Sequence, residues 1–201
     1  ASRSLTIGLP ETYLNRLVVP LIGQLAYRFP DTSLRIFTEP STVVARRVEE
    51  GAVDVGLITE LQVSDRRGEL IHVERGLWAG VDGAPALTAS PVPLALSPEG
   101  YFRRLAQEVL RKGAKPYVVA VTSNNEWAIQ AAIRSGAVVG LLPESKLLPG
   151  PLRELTAEDG FPAIPNLRVR MRLGRRLPPA GEWLAASLVR QARERGLGAE
   201  A

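Results

Sequence analysis

The stretch LRIFTEPSTVVARRVEEGAVDVGLI, Leu34 to Ile58, decides the fold. Leu34 to Thr38 reads as a strand. From Ser41 a helix is expected, with Val44 and Val48 on one face and Gly51 as its stop. Val53 to Ile58 is then a second strand, apolar except for Asp54. The junction at Ser41-Thr42 admits two readings. Ser and Thr are good N-caps, because they accept bonds from the first free N–H groups of a helix. A helix N-terminus at the C-terminal end of a parallel strand is also a ready anion site.

Upstream, Leu5 to Leu9 is a short apolar strand, and Pro10-Glu11-Thr12 breaks it and caps the next helix. Leu14, Leu17, Leu21 and Leu25 recur at helical spacing until Pro30. The order β-α-β-α-β with short links argues for a parallel sheet with helical crossovers.

Downstream, Leu70 to Val81, LIHVERGLWAGV, is one long strand or a strand pair, and DGAPALTASP is a loop. Val92 to Leu96 is a strand, and Pro98 is placed early in a helix carrying Phe102, Leu105, Ala106 and Val109. Strands at Tyr117–Val121 and Val138–Leu142 flank a helix from Asn124 to Ser135, completing a second β-α-β-α-β set. Pro149 to Pro165 reads as loop. Leu167 to Leu173, LRVRMRL, alternates strictly, apolar on one face and arginine on the other, and residues 181–195 form a last helix. The expected class is α/β, with two Rossmann-like lobes joined by two crossing strands: residues 1–77 with 167–201, and residues 78–166. A cleft between such lobes collects strand C-termini and helix N-termini.

Composition removes many functions. A content of 45% hydrophobic and 23% charged residues is that of an ordinary soluble globular protein. The chain has no cysteine, which excludes disulfides, thiolate metal sites and thiol catalysis. A single histidine, His72, excludes a multi-His metal cluster. No phosphate loop, G-x-G-x-x-G or G-x-S-x-G motif is present, so neither a cofactor nor a catalytic residue is expected. Glu11, Glu39, Glu60 and Glu99 read as solvated carboxylates, Asp54 as a partner of nearby backbone, and His72 as structural. Trp78 and Trp127 are core by default. The net charge of +4 is scattered, with no basic stripe for nucleic acid. No signal peptide or membrane-spanning run is visible, and an arginine-rich, cysteine-free make-up fits the cytoplasm. The opening ASRSLTIG looks like the start of a piece cut from a longer chain.

Hydroxyl-bearing junctions remain. Thr12, Ser41-Thr42 and Thr59 come from the first half, and Ser97 and the turn Ser123, Asn124, Asn125 from the second. Each lies just past a strand end. Singly, each reads as a cap; together they suggest a small polar or anionic ligand.

Three stretches carry a family resemblance: LTIGLPETYLNRLVVPLIGQLAYRFPDTSLRI, EPSTVVARRVEEGAVDVGLI and RSGAVVGLLP. In this order they resemble the effector-binding domain of the LysR-type transcriptional regulators, over nearly the whole chain. The resemblance implies a fold like the type-2 periplasmic binding proteins. It implies a ligand-sensing regulatory domain whose winged helix-turn-helix stands ahead of this sequence and makes the DNA contacts. It further implies effector contacts at Thr12, Ser41, Thr42 and Thr59, and from the other lobe at Ser97, Ser123, Asn124 and Asn125, in the cleft between lobes. A homodimer or tetramer is implied too, with the helix over 13–28 packed on a partner's helix over 124–135. Two features depart from the family pattern: DGAPALTASP stands where an HPLA-like segment is usual, and Val138 replaces a glycine. A free-standing solute-binding protein of a transporter is the alternative on the same fold. An enzyme would need a polarised catalytic pair.

Overall fold

Residues 3–60, 67–147 and 149–195 are described by the computed structural model. The chain divides into two units, Ala1–Val73 with Arg168–Ala201 and Glu74–Leu167.

In the first unit β1 (Arg3–Leu9) leads into a 3-10 turn at Glu11–Tyr13, a π turn at Leu14–Val18 and α1 (Val19–Arg28). Pro20 has no N–H to give, so a regular helix cannot run through it unbroken. The wider turn takes up the register, with Val19 N–H reaching Leu14 O. Leu17, Leu21 and Leu25 are buried on one face, as their spacing predicts. Then come β2 (Thr32–Thr38), α2 (Ser41–Glu49), β3 (Val55–Thr59) and β4 (Glu69–Glu74). β2 and β3 flank β1, both parallel to it. Glycines let α2 lie directly on this sheet: a Cβ at Gly56 would stand 2.5 Å from Val48 Cγ2 and 3.1 Å from Val44 Cγ1. The opposite face carries the main core, where Leu5, Ile7 and Leu9 meet the α1 leucines.

The stretch LIHVERGLWAGV is a strand pair: β4 ends at Glu74, and β5 (Gly76–Val81) begins after Arg75. The second unit adds β6 (Val92–Leu96), α3 (Tyr101–Lys112), β7 (Tyr117–Thr122), α4 (Glu126–Arg134), β8 (Gly140–Pro143) and β9 (Leu152–Leu155). β6 and β7 are parallel, while β5 runs antiparallel between β8 and β9. Alternation along β5 supplies two cores. Trp78 packs with Leu94, Leu96 and Leu110 on one side, and Leu77 and Ala79 with Ile129 and Ile133 on the other.

The chain returns to the first unit through β10 (Leu167–Leu173), antiparallel to β3, and ends the fold in α5 (Pro179–Glu194), whose Leu184 and Leu188 are buried. The first sheet therefore has the order β2-β1-β3-β10-β4 and is mixed, not purely parallel.

Four local expectations need correction. Pro98 lies ahead of α3, because Gly100, at φ 104, turns the chain before the helix begins at Tyr101. Pro149–Pro165 contains β9, a strand too short and too closely flanked by proline to show a period. α4 starts at Glu126, two residues after the expected Asn124. Trp127 is 77% exposed and belongs to no core, unlike Trp78. Asp54 does bond neighbouring backbone, its Oδ2 accepting from Thr6 N–H at 2.7 Å. No helix among the described residues is long and apolar enough to cross a membrane, and none of their His, Asp and Glu side chains form a group able to hold a metal ion.

Candidate functional site

The C-terminal ends of the first unit's strands are joined through one side chain. β1 stops at Leu9, so the N–H of Thr59, which points to the β1 side of β3, has no strand beside it. Ser41 Oγ accepts that N–H at 2.9 Å. The serine is 3% exposed and Thr59 is fully buried, so the bond is shielded from water.

This changes the reading of Ser41-Thr42. The cap position of α2 is held by Pro40 in an extended conformation, with no side-chain cap bond. Val43 and Val44 both donate to Pro40 O, at 2.9 and 3.1 Å. Ser41 is the first helical residue, not the cap. Its oxygen serves β3, and its hydroxyl proton has no acceptor among the described residues. Thr42 is exposed on the same first turn. The N–H groups of both residues precede the first intrahelical bonds and point out of the helix end.

Thr59 contributes through its backbone. It pairs with Val169, so its side chain faces the main core, where Oγ1 is buried with no hydrogen-bond partner among the described residues. Thr12 is half-buried in the 3-10 turn that leaves the end of β1.

Glu60 follows Thr59 and is not a solvated carboxylate. Its side chain is 6% exposed and accepts from Arg168 Nε at 3.0 Å, with Arg170 Nε at 3.5 Å. Glu60 N–H donates to Arg168 O at 2.8 Å. The arginine face of LRVRMRL thus ends against the candidate site. That face was legible in the sequence, but its register against β3 was not.

The second unit's hydroxyls are used locally. Ser97 Oγ donates to Glu99 O at 2.7 Å, and Ser97 O accepts from Arg103 Nη1 at 3.0 Å. Ser123 N–H donates to Leu96 O at 3.3 Å, which ties the end of β7 to that of β6. Ser123 Oγ accepts from Asn125 N–H at 3.0 Å. Asn125 is the N-cap of α4, its Oδ1 accepting from Ala128 N–H at 3.2 Å, while Asn124 is exposed. The structure therefore joins Ser41 with Thr59 in one unit, and Ser97 with the Ser123–Asn125 turn through paired strands in the other.

Comparison with known proteins agrees with this architecture. The model of the LysR substrate binding domain matches residues 1–193. The HTH-type transcriptional regulator DgdR of Burkholderia cepacia is 24% identical over 176 residues, which are 87% of this chain and 59% of that protein. The chain thus spans little more than half the length of that relative. Among solved structures, the regulatory domain of HypT from Salmonella typhimurium in its apo-form superposes with a TM-score of 0.73 at 16% identity, covering 96% of this chain and 97% of that one. The effector binding domain of QuiR in complex with shikimate gives 0.73 at 9% identity, over 96% and 99%. These structures share the fold of this chain's two α/β units. The chain belongs to the LysR substrate binding domain family.

Proposed function

We propose that this chain is the ligand-sensing domain of a cytoplasmic LysR-type transcriptional regulator and that it acts by binding, not by chemistry. DNA is contacted through a winged helix-turn-helix outside this sequence. The two units are the regulator's two lobes. The effector is a small polar or anionic molecule, held in the first unit where Ser41 meets Thr59 and flanked by Thr12 and Thr42. One observation carries this reading: the buried Ser41 oxygen is held by Thr59 N–H at the first residue of α2, beside the helix's first N–H groups, which make no intrahelical bond. The effector binding domain of QuiR, of the same fold, is in complex with shikimate, which supports a small polar effector here.

A metabolite library screened by thermal shift tests the reading, since a ligand that binds only the folded chain raises its melting temperature. Calorimetry on Ser41→Ala is the second step. A lost bond is worth about 0.5–1.5 kcal/mol, or about 1.5–3 to a charged group, so affinity falls by roughly 3- to 100-fold. An effector that binds Ser41→Ala and Thr42→Ala as tightly as the parent would refute this site.

Self-association is part of the proposal, because two helices present unpaired apolar faces. α1 shows Val19 and Tyr27, the latter 92% exposed, with Gly23 between them facing open space. α4 shows Trp127 beside Ala128 and Ala131. A large aromatic on one helix and a glycine gap on the other suit α1 of one copy against α4 of another. Sedimentation at tens of micromolar, roughly the range where weak interfaces still form, is expected to give a dimer. Trp127→Glu and Tyr27→Glu are expected to give monomers with unchanged circular dichroism.

A further inference from the structure

At the exit of β3 two arginines hold one nearly buried carboxylate. Glu60 lies between the guanidinium groups of Arg168 and Arg170. Alternation along β3 from Gly56, which touches α2, puts Glu60 on the face that carries α2. Arg170 pairs with Ile58, so both arginines share that face. The cluster therefore sits by the N-terminal end of α2, one residue along β3 from the bond between Thr59 and Ser41. Arg168 is 34% exposed, Arg170 12% and Glu60 6% at their side chains, so the outer guanidinium reaches water while the carboxylate does not.

We propose that Arg168 and Arg170 select the charge of the effector, that Glu60 is their resident counter-ion, and that the effector carries an acidic group which takes over part of Glu60's place. This rests on the effector site proposed above. A guanidinium already held by a carboxylate is ordered before ligand arrives, which lowers the entropy lost on binding. Its planar fork matches a carboxylate, and the Ser41 hydroxyl with the first N–H groups of α2 supplies donors of the same polarity nearby. An amine or a neutral amide gains nothing from such a set.

Acetate is the probe, with acetamide as its uncharged counterpart, titrated into the whole chain at constant ionic strength. The amide signals of Ser41, Thr42 and Thr59 and the Nε–H signals of Arg168 and Arg170 are followed by NMR. Acetate is expected to shift both groups of signals saturably, and acetamide neither. Arg168→Gln weakens acetate by about 10-fold, the worth of one charge-assisted bond. Arg168→Lys, a milder change that keeps the charge, retains a saturable response. Glu60→Gln tightens acetate by about 3-fold or more, because a competing carboxylate is gone. A purely structural Glu60 would give weaker or unchanged binding, and that result overturns the proposal. So does an absent or unsaturable acetate response, or acetamide binding as acetate does. If Ser41→Ala abolishes the response while Arg168→Gln and Arg170→Gln leave it intact, the effector site stands and the charge selection falls.

Discussion

In the first unit and the second, a parallel strand ends, a hydroxyl-bearing turn comes next and a helix begins. In the second unit those hydroxyls stay within their own turns: Ser97 bonds Glu99, Ser123 bonds Asn125, and Asn125 caps α4 at Ala128. In the first unit Ser41 leaves the cap to Pro40 and reaches Thr59, 18 residues away. Sequence shows the same residue types at both edges. The difference lies in what each backbone lacks. β6 and β7 end level with each other, Leu96 opposite Thr122, so their N–H and C=O groups find strand partners. β3 outruns β1, and the stranded N–H of Thr59 needs a side chain. In the second unit the hydroxyls brace their own turns and an amide caps α4, whereas in the first the hydroxyl bridges to the strand that outruns its neighbour.

The largest effect expected from this comparison is at the bridge. Ser41→Ala leaves a buried N–H unpaired and is expected to cost about 1–3 kcal/mol in urea denaturation without ligand. A loss no greater than that of an exposed cap would erase the distinction between the two edges. Asn125→Ala comes next, at about 1 kcal/mol, the ordinary cost of an N-cap. Asn125→Asp keeps the acceptor and is expected to restore most of it. Ser97→Ala and Ser123→Ala break bonds in exposed turns and are expected to stay within about 0.5 kcal/mol of the parent.

The smallest effect is electrostatic and belongs to the second unit. Asp159 accepts two bonds from Arg153 and one from Thr156 N–H. The Arg153 bond, and then the backbone one, lower its pKa from 3.8 to about 2. A carboxylate whose folded pKa is depressed stabilises the fold above its unfolded value, and that contribution is lost as pH falls through the folded value. Asp159→Asn is therefore expected to be less stable than the parent at pH 6, with the gap closing between pH 3.8 and about 2. Arg153 also holds Asp82, and the site is open to water, so added salt is expected to narrow the gap. A gap independent of both pH and salt would assign the effect to the capping bond of the 3-10 turn at Ala157–Asp159 instead.

Much of the fold was legible because short-range periodicity reports it. The leucines of α1, the valines of α2 and the alternation of LRVRMRL as far as Arg172 face as their spacing implies, while Leu173 at the strand's end is exposed. Errors fell where two local rules competed. Pro98 suits a first helical turn, but the positive φ of Gly100 intervenes, and β9 is only Leu152–Leu155. Trp127 departs from its type, because residue type speaks for the core while position on α4 decides exposure.

The site divides in the same way. Sequence by itself determined that hydroxyls stand at strand ends beside helix starts, because strand, turn and helix are set by neighbours a few residues apart. It also determined an arginine face on β10. Only the tertiary structure decided that Ser41 bridges to β3 instead of capping α2, since that depends on β1 ending before β3 does. Only the tertiary structure brought Arg168 to Glu60 across 108 residues of chain. The register of an antiparallel pair formed by a strand returning from another unit is fixed by packing on both faces of the sheet, and no local pattern at either partner encodes it.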